Sequence, residues 1–406
     1  MVKAPSLDEL RSCNETLEDT IKLLVRRRGT NDGVLEEAAK YYEGMQANLN
    51  PLALLCGRLW AWRTIHFSFA GMDVRGFDKV EPFLRQGKAV IVPTHLSYFD
   101  LPPVIGILTG NGRNYYIGGD NVVKVSGEES QLSFMSKSKA EFAKWLLINM
   151  GLVRIKREIS EDNDVLKAQL LIAYDKAFTR QGINQVILSG VGRSRDGQVH
   201  PYKSILNRML IGEASAIVPL GITHDTIPED WLFVHKVEQK QASIHTVSPL
   251  QRWDMRYGRI HAVFGDPIIV SNYPAPTVNG RVPTTNIARL ERAVTEALYK
   301  LMTLTPANLL SVVIPQASRE FIIAEVSDTA MQICDAAIKA GINVAPQLAN
   351  HKTGFDFANA LEKGAKRLAW RGALEYTGIG YKVKDAPMVR YYANSIRPTL
   401  RAFTVA

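Results

Sequence analysis

The sequence predicts an α/β sandwich built on a mixed β-sheet, with a helical appendage before it and a helical region after it. Short apolar runs that suit buried strands alternate with helical patterns from about Val80 to Phe264. Helical periodicity dominates before this part of the chain, and a proline-rich break at 273–277 separates it from further helices. We therefore divide the chain into three regions, residues 1–75, 76–275 and 276–406.

The N-terminal region is predicted to be helical. Apolar residues recur near the helical period in Leu7–Leu10 and Leu17–Val25. Asn31-Asp32-Gly33 predicts a break, and residues 35–45 predict a further helix.

The central region is predicted to alternate strands with helices. Val165, Leu166, Leu170 and Leu171 share one face of a predicted amphipathic helix. The predicted strands are 88–93, 114–118, 152–156, 184–189 and 216–222, the predicted helices are 137–149 and 164–180, and segments 231–237 and 260–264 close the region.

The C-terminal region is predicted to be mainly helical and to pack on the central core. Residues 286–303 and 306–314 predict two helices, and 318–376 predicts further helices followed by an ordered tail.

Composition and charge indicate which kinds of molecule the protein binds. The chain has 406 residues, of which 46% are hydrophobic and 22% charged, which suits a globular protein with a sizeable core. A net charge of +9 favours anionic partners such as phosphate-bearing substrates, coenzyme A, acidic carrier proteins or lipid headgroups. The basic residues are dispersed and no nucleic-acid module is present, so we expect no nucleic-acid partner.

Cysteine usage and the N-terminus indicate a cellular compartment. The three cysteines, Cys13, Cys56 and Cys334, form neither a disulfide framework nor a metal-binding spacing. Residues 1–6 lack the apolar core of a secretory signal. Both observations favour a reducing, cytoplasmic setting.

Segment Pro51–Gly71 is the longest apolar stretch. Arg58 and Arg63 interrupt it, so we expect that it does not span a bilayer. It also contains two tryptophans and two phenylalanines, which suit a membrane interface. Two interpretations stay open: a helix packed on the core, or a surface patch that receives lipid.

A histidine and an aspartate follow the first predicted strand of the central region. His95-Leu96-Ser97-Tyr98-Phe99-Asp100 comes directly after the apolar run that ends at Pro93. A catalytic histidine needs a carboxylate that fixes its tautomer and stabilises the imidazolium ion. Positions five apart on a continuous helix lie about 140° apart, so only a turn leading into a helix would bring the two side chains together.

Three further segments follow in order along the chain. Gly151–Arg157 combines a glycine, a short apolar stretch and a basic end, and Leu188–Gly197 combines a strand end, a glycine-rich turn and two arginines. Ala216–Ile222 is another apolar strand.

Together with the His95 segment, these three segments resemble the four sequence blocks of the glycerophospholipid acyltransferases. Within that superfamily, the chain is most similar to the bacterial membrane glycerol-3-phosphate acyltransferases and their dihydroxyacetone-phosphate relatives. Lys203 and the segment Thr223–Glu229 support this resemblance, which covers about Val80 to Pro398.

The resemblance implies acyl transfer from acyl-coenzyme A or an acyl carrier protein to the sn-1 hydroxyl of glycerol 3-phosphate, without a cofactor or metal. It implies His95 as general base and Asp100 as its orienting partner. It also implies a peripheral enzyme on the inner face of the cell membrane. The implied phosphate-binding residues are Arg157, Arg193, Arg195 and Lys203, and the implied turn glycines are Gly151, Gly190 and Gly192.

The third block departs from the family pattern. Gly190 and Val191 stand where the family usually has a glutamate followed by a glycine. The acceptor is therefore open among glycerol 3-phosphate, a lysophospholipid, dihydroxyacetone phosphate, or an amine or hydroxyl of a specialised pathway. An inactive lipid- or acyl-carrier-binding protein on the same scaffold is the second alternative.

Three other candidates have a plainer interpretation. We predict Ser97 to be a helix-capping hydroxyl. The pairs His224-Asp225 and Glu229-Asp230 match no metal-ligand spacing, so we predict no metal site there. Cys56 and Cys334 have no base beside them in the sequence, which disfavours a thiol nucleophile.

Overall fold

A computed structural model provides the fold. The structure describes residues 3–119, 137–155, 161–187, 194–199, 213–235, 257–273, 284–314, 320–350 and 353–404.

A mixed β-sheet lies at the centre of the described chain. Its strands are β1 (Gly71–Arg75), β2 (Ala89–Pro93), β3 (Arg113–Gly119), β4 (Leu152–Ile155), β5 (Ile183–Ile187), β6 (Ala216–His224), β7 (Arg259–Phe264) and β8 (Ile268–Ile269). The strand order is β1-β7-β6-β2-β5-β3-β4, and β8 pairs with β6. Strands β2 to β6 run parallel, whereas β7 and β8 run antiparallel to β6, and β1 is parallel to β7. The predicted α/β fold with a mixed sheet is thus confirmed.

The central strands β2, β5 and β6 are buried on both faces, which explains why they are continuous, mostly apolar runs. In β2, Val90 and Val92 belong to one hydrophobic core, and Ala89 and Ile91 belong to another. Because successive side chains of a strand point to opposite faces, these two cores are the two layers of the sandwich. Strand β1 belongs to this sheet, so the sheet begins before residue 76.

Helices cover the two faces. They are α1 (Leu7–Ser12), α2 (Glu15–Arg28), α3 (Asn31–Met45), α4 (Pro51–Ser68), α5 (Phe77–Gln86), α6 (Leu101–Leu108), α7 (Lys137–Asn149), α8 (Glu161–Arg180) and α9 (Asp230–Val234). Helices α1, α2 and α3 pack against α8, whereas α4 packs against α6 and α7.

The predicted N-terminal helices are confirmed, with one correction at their boundary. The break lies at Gly29 and Thr30, and Asn31 is already the first residue of α3. Gly29 has a left-handed φ of 73° and ends α2, a conformation that glycine adopts without the penalty of a Cβ atom. The signal for the break was therefore Gly29 and not the Asn-Asp-Gly sequence.

The C-terminal part is mainly helical, as predicted, with short strands between the helices. Its helices are α10 (Thr284–Leu301), α11 (Pro306–Val313), α12 (Ile323–Lys339), α13 (Pro346–Ala349), α14 (Gly354–Trp370), α15 (Ala386–Asn394) and α16 (Arg397–Thr404). Its strands are β9 (Thr303–Leu304), β10 (Glu320–Phe321), β11 (Asn343–Val344), β12 (Leu374–Tyr376) and β13 (Tyr381–Val383). Helix α15 packs against α9 and α11 and thereby reaches the carboxyl edge of the main sheet.

Candidate active site

The candidate site lies where β2 and β6 end side by side. Thr94 continues the pairing beyond β2, because its N–H donates to the Leu220 carbonyl oxygen at 2.8 Å. Its hydroxyl accepts from the Ile222 N–H at 2.8 Å and donates to the Ile222 carbonyl oxygen at 3.0 Å. The backbone that leads into His95 is therefore fixed at the carboxyl edge of the sheet, where open α/β sheets commonly bind ligands.

A capped turn brings His95 and Asp100 together. Residues 98–100 form a single 3₁₀ turn that leads into α6, and Ser97 caps this turn by accepting from the Phe99 N–H at 2.9 Å. The capping role predicted for Ser97 is therefore confirmed. Asp100 folds back over the turn, and its Oδ2 accepts from the N–H groups of Leu96 and Ser97, both at 2.8 Å. The same oxygen lies 3.4 Å from Nδ1 of His95.

The two side chains differ in exposure. The Asp100 side chain is 1% exposed and that of His95 is 20% exposed, so the imidazole forms the solvent-facing end of the pair. Burial alone would raise the pKa of Asp100, but hydrogen bonds from His224 and His95 hold that pKa below its usual value. An ionised carboxylate can only accept, so the proton of a neutral His95 lies on Nδ1 and the lone pair on Nε2.

Two buried residues, one at the end of β6 and one shortly after it, contact the turn. His224, the last residue of β6, places Nε2 at 2.8 Å from Oδ1 of Asp100. Glu229 accepts a 2.7 Å hydrogen bond from the Ser97 hydroxyl. Both residues belong to the segment Thr223–Glu229 that supports the family resemblance, and the sequence predicts neither of them as a site residue. The signal that could have placed them here is their position at or just after the end of a strand parallel to β2, since the ends of parallel strands meet at one edge.

The second and third blocks are described in part. Gly151 has a φ of 94°, and a Cβ atom there would lie 2.7 Å from Cδ2 of Leu49, so the turn before β4 requires glycine. Arg195 is exposed and follows Ser194, whose N–H donates to the His95 carbonyl oxygen at 3.1 Å. The structure thus brings the backbone of the third block to His95. Arg157, Gly190, Gly192, Arg193 and Lys203 lie outside the described residues.

The C-terminal region forms one wall of the site. The Tyr391 hydroxyl donates to the Leu96 carbonyl oxygen at 3.4 Å, and Asn394 donates to the Asp196 carbonyl oxygen at 3.0 Å. Asp230 accepts hydrogen bonds from Arg371 and from the Tyr392 hydroxyl. The region after residue 276 therefore contributes side chains to the surroundings of His95.

Acid and histidine side chains do not gather as metal ligands in the part of the chain that the structure describes. Asp100 is fully engaged by hydrogen bonds from its own turn and from His224, and Asp230 is engaged by a guanidinium group. The described arrangement can hold a histidine in one tautomer and orientation, which is what proton transfer at neutral pH requires.

Similarity to known proteins is found among solved structures. The sequence matches no known family profile and no curated protein. Among solved structures, the chain is similar to the 1-acyl-sn-glycerophosphate (LPA) acyltransferase PlsC from Thermotoga maritima, with 14% sequence identity and a TM-score of 0.34. The match covers 60% of this chain and 79% of that chain.

Proposed function

We propose that this protein is an acyltransferase that moves a fatty acyl group from a thioester donor to a hydroxyl group. The observation that carries the proposal is the His95–Asp100 pair, in which a buried, ionised carboxylate faces Nδ1 of a partly exposed imidazole. This arrangement leaves Nε2 as a base for a substrate hydroxyl. The donor in the proposal is acyl-coenzyme A or an acyl carrier protein, and the reaction needs no cofactor.

The proposed reaction is a direct transfer to the substrate hydroxyl and needs no enzyme nucleophile. Nε2 of His95 takes the hydroxyl proton while the hydroxyl oxygen attacks the thioester carbonyl carbon. The tetrahedral intermediate then expels the thiolate as the C–S bond breaks, and His95 returns the proton to the sulfur atom. Asp100 stays ionised throughout and stabilises the transient imidazolium ion, which is the role of a carboxylate in such pairs.

The proposed acceptor is glycerol 3-phosphate, acylated at its sn-1 hydroxyl. A net charge of +9 and the arginines of the third block support a phosphate-bearing acceptor. Arg195 is the described member of the proposed phosphate site, and its chain segment is tied to His95 through Ser194. We assign Arg157, Arg193 and Lys203 to the same site on the sequence resemblance alone.

We also propose that the protein attaches peripherally to the inner face of the cell membrane. Helix α4 turns small residues inward, because Ala53, Gly57 and Ala61 are its buried positions. Its outer face carries large apolar side chains, each more than half exposed, namely Leu52, Leu55, Leu59 and Trp62. A helix that buries small residues and exposes large apolar ones is unfavourable in water, and it suits a lipid interface.

A neighbouring helix extends this surface. Helix α7 packs against α4 and exposes Phe142 and Trp145, whose rings stack 5.8 Å apart. Arg58 and Arg63 interrupt the outer side of α4 and suit anionic headgroups. We name the exposed apolar side chains of the two helices the apolar face, which comprises Leu52, Leu55, Leu59, Trp62, Phe142 and Trp145. None of the helices that the structure describes combines the length and the hydropathy of a membrane-spanning segment.

The test is thiol release from palmitoyl-coenzyme A by the purified protein, with and without glycerol 3-phosphate. We expect acceptor-dependent release that His95→Ala abolishes while the far-UV circular dichroism stays unchanged. The matched control is His235→Ala, because His235 pairs with Asp385 and not with Asp100. Full activity of His95→Ala would refute the proposed base.

The alternatives correspond to other outcomes of the same assay. Release that depends on a lysophospholipid, dihydroxyacetone phosphate or an amine would keep the chemistry and change the acceptor. Acyl-donor binding without release for any donor or acceptor would identify an inactive binding protein. The substitution of Gly190 and Val191 for the family glutamate and glycine is the observation that keeps both alternatives open.

A further inference from the structure

The Asp100 carboxylate is shared between two histidines. Its Oδ2 faces His95 at 3.4 Å, and its Oδ1 lies 2.8 Å from Nε2 of His224. The His224 side chain is 1% exposed, and its ring centroid lies 5.4 Å from that of Phe69. His224 cannot reach solvent or substrate directly, so any effect that it has on chemistry must pass through Asp100.

We propose that His224 is a positioning residue, which holds the Asp100 carboxylate in the one orientation that presents Oδ2 to His95. The inference rests on the proposed function, and it adds a residue to which neither the sequence resemblance nor the comparisons assign a role. Asp100 is an acceptor, so the hydrogen of this contact lies on Nε2 of His224.

The other ring nitrogen of His224 makes no competing contact. Nδ1 of His224 is buried and has no hydrogen-bond partner among the described residues. The bond to Asp100 is therefore the contact through which the ring acts on its surroundings.

The geometry explains why the carboxylate needs a second anchor. Oδ2 of Asp100 already accepts from the N–H groups of Leu96 and Ser97 at 2.8 Å, whereas its contact with His95 is longer, at 3.4 Å. The terminal torsion of an aspartate is broad and two-fold. Without His224, the carboxylate can rotate to satisfy the backbone alone and release His95.

Other titratable groups surround the turn and must stay unchanged in a test. They come from the turn itself, from the residues after β6, from the third block, and from α15. They are Asp100, Glu229, Asp230, Asp196 and Tyr391.

The test compares His224→Leu, which removes the donor, with His224→Gln, which keeps an N–H donor near the same place. We expect His224→Leu to lower kcat by about tenfold to a hundredfold with little change in KM, as misplacement of a catalytic group does. We expect His224→Gln to keep most of kcat. Phe69→Leu is the packing control, because it changes the ring beside His224 and leaves the contact with Asp100 in place.

A second readout does not depend on turnover. ¹⁵N NMR of histidine-labelled protein, with the His95 signals assigned through His95→Ala, reports which ring nitrogen of His95 carries the proton. We expect the Nδ1–H tautomer in the wild type and in His224→Gln, and its loss in His224→Leu. Wild-type kcat and an unchanged tautomer in His224→Leu would overturn the inference.

The two variants also separate positioning from packing. Equal losses of kcat and of the Nδ1–H tautomer in His224→Gln and His224→Leu would assign His224 a purely structural role and reject the inference. If the wild-type protein shows no acyl transfer, the proposed function fails, and the tautomer measurement still decides whether His224 controls His95.

Discussion

The Ser97 hydroxyl donates a 2.7 Å hydrogen bond to the carboxyl group of Glu229, which lies 132 residues further along the chain. Ser97 is also the cap of the turn that carries Asp100. Glu229 is 2% exposed, and this burial raises its pKa from 4.5 to about 7, although the bond from Ser97 opposes the rise. The contact therefore joins a carboxyl group that titrates near neutral pH to the turn of the candidate site.

The first prediction concerns the pH dependence of stability. The pKa of Glu229 is about 7 in the folded protein and 4.5 when unperturbed, so the contribution of its protonated form is complete below pH 4.5. This contribution is lost as the pH rises through about 7, because the folded protein must then bury a charge. We expect Glu229→Gln to gain stability relative to the wild type over this interval, by at most roughly 3 kcal/mol.

Urea unfolding of the wild type and Glu229→Gln at several pH values between 4.5 and 8 measures this difference. Glu375→Gln is the control, since Glu375 is exposed on β12. Parallel stability profiles of the wild type and Glu229→Gln would contradict the raised pKa.

The second prediction concerns Asp100→Asn. The Asn side chain keeps an acceptor for the N–H groups of Leu96 and Ser97, so the turn should persist, and loss of the acceptor for His224 should lower the free energy of unfolding by about 1–3 kcal/mol. It removes the negative charge that holds Nδ1–H of His95, so acceptor-dependent thiol release should fall on the order of 10³-fold or more. Initial rates at saturating donor and acceptor measure the effect. Retention of more than a tenth of the wild-type rate would show that His95 does not need an ionised partner.

The layered fold was predictable because the central strands are separate apolar runs with turn residues around them. The run 89–93 is buried on both sides, and the predicted and observed bounds of this strand differ by one residue. Strand β1 was missed because Gly71-Met72-Asp73-Val74-Arg75 is short, polar at two positions and only partly buried. Its place in the sheet depends on pairing with β7, almost 190 residues away, and no local pattern carries that information.

The candidate site was predictable only in part. His95 and Asp100 lie within one short segment, so a local turn was enough to suggest their contact. His224 and Glu229 meet that turn because β6 is the neighbour of β2, a relationship that depends on sheet order. The pairing of Asp230 with Arg371 was likewise not predictable from a local pattern, because it needs the C-terminal region to fold back on the sheet.

The third prediction concerns the ion pair between Asp230 and Arg371. Arg371 donates to both oxygens of Asp230, and the two side chains are 13% and 0% exposed. Removal of one partner leaves a buried charge, so Arg371→Met should lower the free energy of unfolding by about 3–5 kcal/mol. The double variant Asp230→Asn/Arg371→Met should recover part of this loss, because no buried charge is then left unpaired.

Chemical denaturation of the two single variants and the double variant completes this thermodynamic cycle. A double variant less stable than Arg371→Met alone would show that the charge on Asp230 is not the source of the loss. Arg27→Met is the matched control on the exposed end of α2.

The fourth prediction concerns the apolar face of α4 and α7. Leu55 and Trp62 are 54% and 60% exposed, so replacing both with serine should leave folding almost unchanged. Loss of two large apolar side chains should weaken binding to vesicles that contain anionic lipid by about tenfold or more. Cosedimentation with vesicles of phosphatidylcholine and phosphatidylglycerol measures it. Ile379→Ser is the control, an exposed apolar residue outside α4 and α7, and equal binding of both variants would reject the proposed face.

The fifth prediction concerns Arg195, the described member of the proposed phosphate site. Charge-assisted hydrogen bonds to phosphate contribute about 1.5–3 kcal/mol, so Arg195→Ala should raise KM for glycerol 3-phosphate by roughly tenfold to a hundredfold. The kcat should change much less, because the phosphate is distant from the reacting hydroxyl and is bound equally in the ground state and the transition state. Arg195→Lys should recover only part of the loss, because lysine keeps the charge but lacks the planar pair of donors. Steady-state kinetics with varied acceptor measure these constants, with Arg26→Ala on α2 as a surface control. An unchanged KM in Arg195→Ala would place the acceptor phosphate elsewhere on the protein.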